Sequence, residues 1–234
     1  MTQTVSHATQ SHSRLIRFLS ELDVVDFDIT QRDFAERLGL LLNFADSILL
    51  SDALKLPPKL PQGVESPTPH SVRGEFLRVR GKLVAAIIDS CTPGSETARI
   101  KWPVLQIDVP QLQFEPFLRF YVAHQRDMDL GARGLRTTVR EAMTHQTPAL
   151  QQLITLDIAL EDALFDHSRR FLAVIPRFLE KRFNALQEQS HTMADWLTQF
   201  RKELQGLLLA ELEIRLQPVL GLVETLDNEV SKAT

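Results

Sequence analysis

Helix-breaking residues are segregated in this chain. No glycine occurs between Gly134 and Gly206, and nine of the twelve prolines fall between Pro57 and Pro116, with only Pro148, Pro176 and Pro218 after them. Glycine and proline are the residues that interrupt helices. The second half is therefore predicted as long helices and the middle as loops. The expected fold is all-α: an elongated helical bundle with long, coiled-coil-like antiparallel C-terminal helices.

The chain is long enough to bury a core unaided: 234 residues, 44% of them hydrophobic and 24% charged. Neither disulfides nor metal are required. Cys91 is the only cysteine, so no internal bridge can form, which fits a reducing compartment. The N-terminus lacks the basic and apolar regions of a signal peptide. No stretch reaches the roughly 18 consecutive apolar residues that span a bilayer. The expectation is a cytoplasmic chain without a transmembrane segment. A formal charge of −4 excludes a globally basic nucleic-acid binder, but not a local basic patch.

Residues 1–12 read as a polar, disordered tail and 13–55 as N-terminal helices, the second of them starting at the N-cap residue Thr30 with an apolar stripe through Phe34, Leu38, Leu41 and Ile48. Residues 56–70 form a proline-rich linker. Residues 71–234 form the bundle, with an irregular segment at 92–113. A helix over 71–90 carries Val72, Phe76, Leu83, Val84, Ile87 and Ile88. The next begins near Phe114 and carries Phe117, Tyr121, His124, Met128, Leu135, Val139 and Met143 on one side.

Thr147-Pro148 is a helix start, a cap followed by proline at the first helical position. From there one helix is predicted to reach Gln187, kinked or broken at Pro176. Ile158, Phe165, Leu172, Leu179 and Leu186 recur every seventh residue and predict a buried seam. Phe165, Phe171, Leu172, Phe178 and Leu179 are the apolar interaction candidates. After a short reversal near residue 190, the last helix carries Leu197, Phe200, Leu204, Leu208, Leu212, Leu216, Val219, Val223 and Leu226. A short connection between long helices makes them antiparallel neighbours.

Chemistry is not legible. The chain lacks phosphate-cradling glycine loops, His-Glu-x-x-His, Cys-x-x-Cys and Gly-x-Ser-x-Gly, so no catalytic residue, metal or cofactor is assigned. Glu188-x-x-His191 matches only half of a di-iron ligand set. His124 lies in an apolar stripe. It reads as a core histidine with one hydrogen-bond partner, with a pH switch or a base acting with Tyr121 and Asp127 as the sharper reading. Charge is uneven. Six acids lie between Glu21 and Glu36 against Arg32 alone, and five bases between Arg169 and Phe183 against Glu180 alone. Arg169, Arg170, Arg177 and Lys181 are the charged interaction candidates. They pair with acidic segments within or between chains, or, in the alternative reading, form a nucleic-acid face.

The run Phe114-Glu-Pro-Phe-Leu-Arg-Phe-Tyr-Val-Ala-His-Gln-Arg-Asp-Met128, with Leu135-Arg-Thr-Thr-Val-Arg-Glu-Ala142, Pro148-Ala-Leu and Leu179-Glu-Lys-Arg-Phe183, resembles an uncharacterised proteobacterial family catalogued as a domain of unknown function. The resemblance carries no catalytic residues. It implies a cytoplasmic accessory of an inner-membrane, ion-driven motor-like complex. Together these readings predict a non-catalytic interaction or scaffold protein with protein partners, membrane-complex components among them, or a homo-oligomer. A nucleic-acid-associated regulator and an enzyme of unknown class are the alternatives.

Overall fold

A computed structural model describes residue 15 and residues 44–55, 69–104, 112–144, 146–189 and 192–233. The polar tail, most of the two N-terminal helices, the acidic stretch 21–36 and residues 56–68 of the linker lie outside the described residues, as does His191; Pro69 and His70, read as the end of the linker, instead open a helix. The elements are α1 (Phe44–Lys55), α2 (Pro69–Cys91), α3 (Glu115–Thr144), α4 (Pro148–Ala173), α5 (Ile175–Gln189) and α6 (Met193–Ala233). The fold is all-α, and no strand occurs among the described residues.

Side-chain pairs give the directions. Ser90 meets His124 and Leu83 meets Gly131, so α2 and α3 are antiparallel. Arg73 near the start of α2 bonds Asp227 near the end of α6, 2.9 Å apart, so those two are antiparallel as well. Arg136 and Arg140 meet Asp157 and Glu161 across the α3–α4 hairpin. Phe183 meets Trp196 and Phe200 across α5–α6. The result is an up-and-down bundle in which α4 and α5 act as one broken rod. α6 packs most extensively on α2 and α3, and α1 packs on α4.

Local signals explain the element ends. The Thr147 hydroxyl accepts from the Leu150 amide at 3.4 Å with Pro148 in the first turn of α4. Thr192 caps α6 by accepting from the Asp195 amide at 3.4 Å. Past the end of α2 the chain turns at Gly94, whose φ of 73° a Cβ would disfavour. Trp102 then anchors the irregular segment, edge-on to Phe117 and Phe120 with centroids 5.5 and 5.1 Å away.

The rod to Gln187 does not run unbroken. α4 ends at Ala173 and α5 restarts at Ile175, with Val174 between them. Pro176 therefore sits in a first turn, where its missing N–H costs nothing. The sevenfold seam also fails in its first half. Leu179 and Leu186 are buried and Leu172 is half-buried, but Ile158 and Phe165 are 44% and 48% exposed. The face that α4 turns to α3 carries Asp157 and Glu161 instead, because Arg136 and Arg140 stand opposite. An apolar count passes over a buried face built from charges.

Candidate functional site

Two places concentrate unusual chemistry: a polar layer inside the bundle, and the outer surface of α1 and α4.

Within the layer, Glu211 on α6 is fully enclosed. A buried carboxylate persists only when its charge and lone pairs are answered. Here Tyr121 donates to one oxygen at 2.6 Å. Arg215 donates to the other through two nitrogens at 3.0 and 2.7 Å, and Gln125 adds a bond at 2.9 Å. Arg215 also reaches Asp129 at 3.3 Å. Burial, with the Glu211 carboxylate beside it, pushes the Tyr121 phenol far above its ordinary range, so it stays protonated as a donor. The arrangement ties α3 to α6 in one register. The sequence did not single out Glu211. Its trace was a charge on the apolar stripe of Leu204 and Leu208, with an arginine four residues on.

His124 is 1% exposed and Ser90 is 2% exposed. Ser90 Oγ lies 2.8 Å from His124 Nε2 and donates its proton to the Ile87 carbonyl at 2.9 Å. With that proton on the Ile87 carbonyl, Nε2–H donates to Ser90; in the other tautomer Ser90 donates to Nε2, and in both the neutral ring lies edge-on to Phe120 at 4.7 Å. Tyr121 and Asp127, the partners sought for a catalytic His124, are engaged elsewhere: Tyr121 with Glu211, and Asp127 with Arg99. A hydroxyl and an imidazole at this distance could work as nucleophile and base only if a substrate reached them, and both side chains are enclosed. Cys91 next to them is buried too, and burial pushes its thiol up to about 11, which removes the reactive thiolate at neutral pH.

Burial, reinforced by the nearby Arg99 charge, lowers the His124 pKa from 6.5 to about 4. The unfolded chain then binds a proton below pH 6.5 that the folded chain refuses until about pH 4. Stability contributed at neutral pH is thus lost as pH falls through that window, by roughly 3 kcal/mol in total. In urea titrations at pH 7 and pH 4, His124→Gln is expected to lose less stability on acidification than the parent by about this amount. Equal acid sensitivity in both proteins would contradict the buried neutral ring.

The outer surface is different. Phe165 and Ile158 on α4 and Ile48, Leu49 and Leu54 on α1 are all exposed large apolar side chains. Arg169 and Arg170 on α4 and Arg177 and Lys181 on α5 are exposed as well. Of the remaining apolar candidates, Phe171, Leu172 and Phe178 are half-buried, and Leu179 is core. The Val174 break divides the basic group between two helices. Arg182, from the same run, bonds Glu203 on α6 at 2.8 Å.

Among the described residues, no group of three or more His, Cys, Asp or Glu side chains converges as for a metal ion, and no helix is long and apolar enough to cross a membrane. No curated protein and no solved structure matches the chain. A family described as "Protein of unknown function (DUF3348)" matches residues 1–228, nearly the whole length, and the chain belongs to that family.

Proposed function

We propose that this is a non-catalytic interaction protein, an accessory or scaffold that docks partners through the exposed apolar side chains of α4 and α1. One observation carries the reading. Five large apolar side chains, Ile48, Leu49, Leu54, Ile158 and Phe165, stand out from this one helix pair beside Arg169 and Arg170. Ile158 and Phe165, seven residues apart, share one side of α4, and exposed large apolar side chains beside charge mark docking surfaces. The polar layer inside the bundle, by contrast, answers its own charges and holds register. An accessory role beside an inner-membrane ion-driven complex, which the family resemblance implies, is the setting proposed for it.

The test is a photo-crosslinking residue placed at Phe165 or Leu49, with a control at Leu77, an exposed side chain on α2. Irradiation in cells is expected to give discrete adducts from Phe165 and Leu49 and none from Leu77. No adduct, or the same adducts from all three sites, overturns the reading.

A further inference from the structure

We infer that the partner seated on α4 is a second copy of this chain, its α4 packed antiparallel across a twofold axis near Phe165. The inference rests on the docking role proposed above and names its occupant.

Residues 158, 162, 165, 169 and 173 recur at spacings of three and four, so Ile158, Asp162, Phe165, Arg169 and Ala173 lie along one side of α4. All five are exposed. Half-buried Leu172 borders the same line. The order along it is apolar, acidic, aromatic, basic, apolar. Reversed end to end, that pattern complements itself. With Phe165 of each copy at the centre, Asp162 of one copy faces Arg169 of the other, and the converse pair forms on the far side of the axis. Ile158 then falls opposite the Leu172–Ala173 end. Closed twofold contacts require such self-complementarity. Among the described residues, neither Asp162 nor Arg169 makes an ion pair or a side-chain hydrogen bond. Each is available for a partner. Phe165, 48% exposed between them, supplies an aromatic anchor of the kind that dominates interface energies.

The pairing makes a charge-swap prediction that a general sticky surface does not. Asp162→Arg places arginine against arginine twice, and Arg169→Asp places acid against acid twice. Each is expected to weaken the dimer by about tenfold or more. An equimolar mixture of the two variants, or the double variant, restores opposite charges at both contacts and is expected to recover the dimer. Light scattering over a concentration series of the full chain reads the mass, with thermal melts showing that the exposed substitutions leave folding intact. Phe165→Asp is expected to give the mass of a single chain. A wild-type chain that stays at the single-chain mass at every concentration overturns the inference, as does a dimer indifferent to the swaps or not rescued by mixing. If the wild type is monomeric but the Phe165 crosslinker traps a different protein, self-association falls and the docking reading stands. With neither dimer nor adduct, both fall.

Discussion

Phe183→Ala is expected to cost about 3–5 kcal/mol, a large share of the stability of an ordinary domain. Phe183 on α5 has no exposed surface. Its ring meets four others: Phe114 at 5.6 Å, Phe117 at 5.1 Å, Trp196 at 5.1 Å and Phe200 at 5.2 Å. The last two contacts are near-perpendicular, at 87° and 78°, the edge-to-face arrangement that aromatic quadrupoles favour. The residue thus joins α5 to the start of α3 and to the first turns of α6. Alanine forfeits the transfer energy of the ring and leaves a cavity whose rigid aromatic walls collapse poorly. The readout is a urea titration in which the midpoint falls while the slope is unchanged. Phe165→Ala is the matched control. It removes the same ring from a 48% exposed site and is expected to stay within about 0.5 kcal/mol of the parent in the monomer. Similar losses for the two would mean that α5 is not packed as described.

These two phenylalanines mark how far the sequence could be read. On α3 the stripe of Phe117, Tyr121, His124, Met128, Leu135, Val139 and Met143 is buried throughout, and on α6 Phe200 to Leu226 follow suit. There a single helical period governed which side turned inward, and period is visible in one dimension. The Thr147-Pro148 start was equally local. α4 was misread because its sevenfold apolar recurrence, Ile158 and Phe165 included, ran along the outer side. Its inner side is held by Arg136, 2.6 Å from Asp157, and by Arg140, 2.7 Å from Glu161. Those pairs are joined across a hairpin, and nothing in composition tells a charge that faces water from one that faces another helix. The same holds for Ser90 with His124 and for Tyr121 with Glu211. Each needs the register between two helices before its partner has a name. His124 was legible as an anomaly in a stripe, but Ser90 was not, because an isolated serine near a helix end carries no signal.

Glu211→Ala is expected to cost about 3–5 kcal/mol, comparable to losing the Phe183 ring although far fewer apolar atoms are removed. The loss comes from what stays behind. Arg215, its side chain 15% exposed, keeps its charge but retains only the 3.3 Å contact to Asp129. The Tyr121 hydroxyl loses its acceptor in an enclosed site. Stranded buried polar groups each cost their desolvation, which exceeds what the bonds contributed when made. Tyr121→Phe should accordingly be milder, about 1–2 kcal/mol, because Gln125 and Arg215 still satisfy the carboxylate. Replacing both charges, Glu211→Met with Arg215→Met, should recover most of the loss, since no ion is then left without its counterion, apolar volume fills the gap, and only the Tyr121 hydroxyl, at a cost of about 1 kcal/mol, stays without its acceptor. The recovery separates two accounts of the layer. If the ion pair is a net source of stability, the double variant should be about as unstable as Glu211→Ala. If it serves to fix the register of α3 against α6, the double variant should melt near the parent. Its amides along α3 and α6 should then exchange faster, because apolar side chains tolerate sliding that a four-donor carboxylate does not.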